Sequence, residues 1–174
     1  MREPYAAICG ITETELRTHF DEGIHTLASA LERTYEEARS LLRKRYDGYH
    51  FVAGGPGIYN PFSLLNTFKY MRPEDYWFET GTPSYLVELL KHTHYDLYEL
   101  ANTETDADVL NSIDSTSSNP VPVIYQSGYL TIKDYDSRFG IYKLGFPNLE
   151  VEEGFVKYLL PFYTSVSAPK TPFE

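Results

Sequence analysis

Four polar residues stand among aromatic rings at positions where they could bind a nucleotide or a partner. Asp47 and His50 belong to the string YDGYHF, and Glu79 and Thr80 belong to YWFETGTP. Aromatic neighbours can fix polar side chains and partly remove them from water, as happens in binding sites. One interpretation is that the four residues converge. The other is that they are turn and cap residues, and we favour it because turn chemistry already explains their types.

The structural interpretation extends to the other distinctive strings, YNPFSLLN, QSGYLTIKDYD and LGFPNLEV. Asparagine before proline starts a helix, an Asp-Gly pair makes a turn, and a glycine with positive φ ends a helix. Aromatic residues beside these signals are expected in the core. The motif positions of these strings, to which no specific role is assigned, are Asp47, Gly48, Tyr49, Asn60, Pro61, Glu79, Thr80, Gly81, Gly128, Tyr129, Pro147 and Asn148.

The signatures of the common catalytic classes are absent from the sequence. The glycine-rich stretch 54–57 lacks the lysine of a phosphate-binding loop, and HExxH, paired CxxC, GxSxG and calcium-loop patterns do not occur. His92 and His94, with Asp96 nearby, could in principle bind a metal, but their two-residue spacing is favourable only on a strand and a third strong ligand is not identified. Solvated side chains at a helix end explain these residues better. We therefore predict no catalytic residue and no metal site in this chain.

Composition indicates a globular protein of one domain or two small ones. The chain has 174 residues, 42% of them hydrophobic, and a mean hydropathy of -0.38. No apolar run approaches the roughly 20 residues of a membrane helix. Cys9 is the single cysteine and cannot form an internal disulfide, so we expect a reducing compartment, the cytoplasm, and no membrane contact.

The net charge of -10 argues against nucleic-acid binding. Residues 59–122 hold 10 acidic and 3 basic residues, and residues 123–174 hold 6 and 5, without a basic stripe. The basic residues that would serve the alternative, a nucleic-acid contact, are Lys133, Arg138 and Lys143, with Arg39, Arg43, Lys44 and Arg45 in support.

Helix signals dominate the first hundred residues. Thr12 and Thr34 each precede a glutamate by three positions, which predicts two capping boxes, and the first helix is expected to run to Leu31. Asn60-Pro61 and Thr82-Pro83 predict two more helix starts. A hairpin or extended segment is expected in the glycine-rich stretch between the second and third helices.

The last third of the chain predicts a helix, a hairpin and a helix. Pro120 opens a short helix, Tyr129 to Leu144 alternate as two strands, and a final helix runs from about Val151. We expect Leu130, Ile132 and Leu144 to face Phe155 and Leu159. The order is typical of a winged helix, so the predicted fold class is mainly α with a small β-hairpin, α+β.

The predicted organisation has four parts. Residues 1–101 form a helical lid-like region, 102–119 a linker or boundary rich in Thr, Ser, Asp and Asn, 120–165 a winged-helix-like module, and 166–174 a tail.

Taken together with CGITETEL, the strings resemble the later part of bacterial AAA-ATPase-like proteins that carry a C-terminal PD-(D/E)XK nuclease domain. The resemblance runs from about Tyr5 to Tyr163. It implies that the chain corresponds to the region between ATPase core and nuclease, as a fragment or a natural short paralogue. ATP and Mg²⁺ would then be cofactors of the full-length parent, and no cofactor is expected here.

The resemblance and the missing signatures favour a regulatory or coupling role without catalysis. The partners would be the ATPase core and nuclease domain of the parent chain, with self-association also open. The alternatives are a nucleic-acid-binding winged helix and a stand-alone protein-interaction domain. Lys133, Asp134 and Asp136 echo the composition of a nuclease site, but solvated charges at the turn of the predicted wing explain them better.

Overall fold

The computed structural model describes residues 9–80, 88–90, 97–100, 102–112 and 119–164. The fold is α+β, as the sequence predicted, and it has two small antiparallel sheets among the helices where one hairpin was expected. Gly81, His92, His94 and Asp96 lie outside the described residues. So does most of the helix expected from Thr82, of which 88–90 are helical.

The elements are short and mostly helical. The helices are α1 (Glu13–His19), α2 (Asp21–Ala30), α3 (Tyr35–Tyr46), α4 (Pro61–Tyr70), α5 (Tyr76–Thr80), α6 (Leu97–Leu100), α7 (Ala107–Leu110), α8 (Val121–Gln126) and α9 (Leu149–Thr164). The strands are β1 (Ile11–Thr12), β2 (Ile58–Tyr59), β3 (Glu104–Asp106), β4 (Thr131–Asp136) and β5 (Ile141–Gly145).

The first predicted helix is two helices that meet at Phe20. This residue leaves helical geometry with φ -123° and ψ 17° and serves both as C-cap of α1 and as N-cap of α2. Its ring stacks on Phe68 of α4 with the centroids 5.5 Å apart. The prediction of one continuous helix was wrong because the apolar periodicity of Leu16 and Ile24 continues through a bend.

Helices α1 to α4 share one apolar core, which with β1 and β2 we call the helical module. Both predicted capping boxes are present, at Thr12 with Glu15 and at Thr34 with Glu37. The strand β2 pairs antiparallel with β1. The buried members of this core are Leu16, Ile24, Leu27, Ala28, Ala38, Leu42, Tyr46, Tyr59 and Leu64.

The second core belongs to what we call the sheet module, which combines the sheet β3-β5-β4 with helices α5 to α9. Strands β4 and β5 form the predicted hairpin, with Ile132 opposite Leu144. These residues and Leu130 are buried in one cluster with Phe155 of α9, as predicted. The side chain of Leu159, the other expected partner, lies outside the described residues.

The stretch expected to be a linker contributes to this sheet. Glu104 to Asp106 form β3, which pairs antiparallel with β5 and makes the two predicted strands three. Asp106 then caps α7 by accepting a hydrogen bond from Val109 N at 2.9 Å. Polar composition indicated a loop here, but an edge strand needs only one covered side, so Thr and Asp are tolerated in it.

The boundary between the two cores also lies earlier in the chain than predicted. Phe78, Leu90 and Leu100 stand within the expected lid-like region, yet they pack in the core of the sheet module. Helical periodicity shows that a face is buried but not which partner buries it.

Candidate functional site

The turn after α3 touches the start of α9 through the backbone of Gly48. Its φ is +110°, and a Cβ atom there would lie 2.2 Å from the carbonyl oxygen of Pro147. Asp47 completes the turn, since its Oδ1 accepts a hydrogen bond from Gly48 N at 2.7 Å. Burial raises the pKa of the Asp47 carboxyl. The strings YDGYHF and LGFPNLEV therefore meet in a contact that requires glycine.

The next residues of the same loop bond to the hairpin. The backbone N–H of His50 donates to Thr131 Oγ1 at 2.7 Å, and that hydroxyl donates to the His50 carbonyl at 3.1 Å. Thr131 is buried at the first position of β4. A single side chain thus ties both polar backbone groups of His50 to the sheet module.

A buried carboxylate joins three helices at the centre of the molecule. Glu150 of α9 is fully buried, and its Oε1 accepts hydrogen bonds from Ser63 Oγ at 2.7 Å and from Trp77 N at 2.8 Å. Ser63 belongs to α4 and Trp77 to α5, so this cluster crosses from the helical module to the sheet module. Ser63 is itself fully buried.

Burial dominates the electrostatics of this cluster. It raises the pKa of Glu150 to about 7, although the bonds from Ser63 and Trp77 favour the charged form. Within the part of the chain that the structure describes, the second oxygen, Oε2, is buried without a hydrogen-bond partner, as are Asn148 Nδ2 and Tyr49 OH. Burial and the nearby carboxyl of Glu150 also raise the pKa of Tyr49.

Beside Glu150, an ion network connects α3, the segment before α5, and α9. The guanidinium of Arg45 contacts Asp75, and its Nη1 lies 3.4 Å from Glu153 Oε2. Lys157 reaches the other oxygen of Asp75 at 3.1 Å. Arg45 thus pairs with Asp75 and Glu153. Among the described residues, the Glu150 carboxyl has no ion-pair partner.

Cap and core roles account for most of the other singled-out positions. Asn60 accepts from Phe62 N and Ser63 N as the N-cap of α4, with Pro61 at its first position. Asn148 Oδ1 accepts from Val151 N at 3.2 Å.

Gly128 and Tyr129 act where α8 ends. Gly128 has a φ of +81° and turns the chain out of the helix, as predicted. The ring of Tyr129 then lies between those of Trp77 and Phe155, with centroid distances of 5.3 and 5.6 Å. These residues order the aromatic core.

The four polar residues that could have formed one site fall into two places. Asp47 and His50 lie on the loop after α3, whereas Glu79 and Thr80 are the exposed end of α5. Thr80 Oγ1 donates to the carbonyl of Trp77 at 2.7 Å, which is a local helix contact. No hydrogen bond or ion pair joins the two pairs among the described residues.

Each of the three basic residues of the hairpin that were expected to contact nucleic acid has a partner. Lys133 Nζ donates to the carbonyl of Pro147 at 3.2 Å. Arg138 Nη2 lies 3.5 Å from Asp136 Oδ2, and Lys143 Nζ lies 3.6 Å from Glu104 Oε1.

Each arginine of α3 also has an acidic partner, whereas Lys44 of the same helix is exposed. Arg39 Nε lies 2.9 Å from Glu13 Oε1, and Arg43 Nε lies 3.6 Å from Asp47 Oδ2. Arg45 belongs to the ion network described above. These pairs therefore compensate the charge of the three arginines locally.

A cleft of about 460 Å³ opens between the two modules beside the buried cluster. Aromatic residues of several strings form its walls, with Pro61, Gly128 and Thr131 among the smaller ones. Among its described lining residues none is Asp, Glu, Lys or Arg. The rings that line it are Tyr49, His50, Phe51, Tyr59, Trp77 and Tyr125.

Sequence reasoning missed the residues on which this region depends most. Glu150, Ser63 and Trp77 lie inside the distinctive strings but were not singled out. A glutamate in the first turn of a helix normally indicates a favourable dipole contact at the surface. The signal that could have identified Glu150 is its place in the sequence, directly before Val151, which belongs to the apolar face of the helix.

Comparison with known proteins gives one informative relative. The chain is 33% identical over 162 residues to an "Uncharacterized protein in vnfD 5'region" of Azotobacter chroococcum mcd 1. The match covers 91% of this chain and 29% of the relative, so the chain spans less than a third of that protein's length. No protein-family model and no solved structure matches.

Within the described residues, no helix has the length and apolar character that crossing a bilayer requires.

Proposed function

We propose that this chain is a non-catalytic coupling module of a larger protein, an AAA-type ATPase associated with a PD-(D/E)XK nuclease. In that protein it would transmit a conformational change between the ATPase core and the nuclease. ATP and Mg²⁺ would bind in the ATPase core. The parent's other domains are the expected partners of this chain.

The observation that carries the proposal is the way the distinctive strings fasten the helical module to the sheet module. Gly48 of YDGYHF lies against Pro147 of LGFPNLEV. Glu150 of the same LGFPNLEV string accepts hydrogen bonds from Ser63 of YNPFSLLN and from the backbone N–H of Trp77 of YWFETGTP. Energetic coupling between distant sites is transmitted by packed secondary-structure elements that can adopt only a few discrete arrangements relative to one another. Motif residues in such fastening contacts support a mechanical role better than a reaction centre.

Local charge compensation favours this proposal over nucleic-acid binding. Lys133, Arg138 and Lys143 each have a carbonyl or carboxylate partner, so a phosphate would have to compete for them. Phosphate contacts supply most of the affinity in non-specific nucleic-acid binding. A stand-alone protein-interaction domain remains the second alternative.

Sequencing the coding region on both sides of the chain tests the parent directly. We expect a GxxxxGK[ST] segment upstream and a PD-(D/E)XK segment downstream in one reading frame. In-frame stop codons on both sides would contradict the proposal. The isolated chain should also show no saturable binding of Mg-ATP in a calorimetric titration.

The coupling role is tested in the parent protein by Ser63→Ala. Loss of the hydroxyl removes a hydrogen bond to Glu150 and should reduce the ATP stimulation of nuclease activity while ATP hydrolysis is retained. Ser40→Ala, on the exposed side of α3, is the matched control and should change neither. Equal stimulation in Ser63→Ala and the unchanged protein would contradict the coupling role.

A further inference from the structure

We propose that a water molecule is bound inside the protein, at the junction of the two modules, by Glu150 Oε2, Asn148 Nδ2 and Tyr49 OH. This site goes beyond the proposed coupling role and does not depend on it. The three atoms are buried, and none of them has a hydrogen-bond partner among the residues that the structure describes. Folded proteins satisfy buried polar atoms with protein groups or with ordered water.

The three atoms come from two chain segments that meet at a close contact. A Cβ atom on Gly48 would lie 2.2 Å from the carbonyl oxygen of Pro147, and Tyr49 and Asn148 are the next residues of these segments. After burial, the Glu150 carboxyl is the largest cause that raises the pKa of Tyr49, whereas the side chain of Asn148 acts to lower it. The Tyr49 hydroxyl therefore lies beside both side chains.

The other bonds of Asn148 and Glu150 fix the orientation of the two unpartnered atoms. Asn148 Oδ1 accepts a hydrogen bond from Val151 N at 3.2 Å, so its Nδ2 is turned to the opposite side of the amide. Glu150 Oε1 accepts from Ser63 Oγ at 2.7 Å and from Trp77 N at 2.8 Å. Both printed bonds of the carboxylate thus use one oxygen, and Oε2 is left for another donor.

Tyr49 is held by its backbone, and its ring connects the site to the cleft. Its N–H donates to the carbonyl of Ile58 at 3.3 Å, and the N–H of Ile58 donates back at 3.1 Å. Tyr49 also lines the cleft of about 460 Å³, together with Asn60 and Trp77. A bridging molecule can therefore satisfy the three fixed groups, and the cleft gives it a short route from the bulk solvent.

The donors and acceptors of the site select water. A cation would face the N–H donors of the Asn148 amide, and an anion would face the carboxylate of Glu150. A water molecule can donate to Glu150 Oε2 and accept from Asn148 Nδ2, while the hydroxyl of Tyr49 can take either role. Three hydrogen bonds are typical of a buried water molecule.

A crystal structure of the whole chain tests the site directly. We expect an electron-density peak within about 2.7–3.2 Å of all three atoms. A direct hydrogen bond from a protein group to Glu150 Oε2, or ordered side chains with no peak between them, would overturn the inference. So would an anomalous peak at this position after soaking in rubidium chloride, because it would identify a cation.

Oxygen-17 relaxation dispersion tests the same site in solution. Tyr49→Phe keeps the ring and removes the hydroxyl, so the water breaks one hydrogen bond fewer when it leaves, and its residence time should shorten about tenfold. Tyr135→Phe removes a hydroxyl from an exposed side chain of the hairpin and is the control that should change nothing. An unchanged dispersion in Tyr49→Phe, or an equal change in the control, would contradict the assignment.

Discussion

At the scale of single residues, Gly48 is the described glycine at which an added Cβ atom would meet the closest neighbour. It combines a φ of +110° with a backbone carbonyl 2.2 Å from where a Cβ would stand. An Asp-Gly pair already predicts a turn, but the turn alone would accept asparagine at moderate cost. The approach of Pro147 turns a preference for glycine into a requirement.

Gly48→Ala should therefore destabilise the protein much more than Gly54→Ala. Gly54 also has positive φ, +72°, but a Cβ there meets nothing within 4 Å. We expect a loss of about 1 kcal/mol in the free energy of unfolding for Gly54→Ala. Gly48→Ala should lose about 3 kcal/mol or more, because the contact must open. Urea unfolding of both variants measures this, and equal losses would show that the close contact does not matter.

Glu150 should make stability depend on pH. Its pKa is about 7 in the folded protein against 4.5 for an unperturbed carboxyl. Between these values the folded state binds more protons at this carboxyl than the unfolded state, so the contribution of Glu150 to stability is fully present below pH 4.5 and is lost as the pH rises through about 7. The loss is roughly 3 kcal/mol. Glu150→Gln cannot titrate and should remove this part of the pH dependence.

The free energy of unfolding is measured between pH 4 and 8 for the unchanged protein and for Glu150→Gln, and the difference between the two is followed as a function of pH. Glu152→Gln, at an exposed position of the same helix, is the control and should retain the slope. A difference between the unchanged protein and Glu150→Gln that stays constant with pH would contradict the assignment.

At the scale of elements, local signals predicted where helices begin more reliably than which elements belong together. Thr12, Thr34 and Asn60 cap their helices as expected because a cap involves only residues three positions apart. The bend at Phe20 and the strand β3 were missed. Both depend on contacts with distant elements, Phe68 in one case and β5 in the other.

The hairpin of β4 and β5 depends on its buried face. Ile132 is buried opposite Leu144 and in the same cluster as Phe155. Ile132→Asp would bury an unpaired carboxylate, so we expect a loss of about 3–5 kcal/mol or unfolding of the sheet module. Ser137→Asp places the same charge in the exposed turn and should cost less than about 0.5 kcal/mol. Near-UV circular dichroism with urea unfolding measures both, and a mild effect of Ile132→Asp would contradict the packing.

At the scale of the whole molecule, acidity and local pairing determine the response to nucleic acid. With a net charge of -10 and ion-paired cations in the hairpin, we expect no submicromolar binding of a fluorescein-labelled DNA duplex near physiological salt. Fluorescence polarisation measures this. Submicromolar binding weakened by Arg138→Ala, but not by Ser137→Ala, would make the winged-helix alternative the better account.

The sequence alone determined the helix starts, the hairpin and the α+β class, because caps, turns and apolar periodicity act over a few residues. It also identified the strings that meet at the junction of the two modules. Only the tertiary structure decided how they meet: Ser63 and Glu150 are 87 residues apart and bond in the core. Burial there raises the pKa of Glu150, and the same junction forms a cleft whose described lining residues include no Asp, Glu, Lys or Arg. Such properties arise from surfaces brought together by packing, which no local pattern encodes.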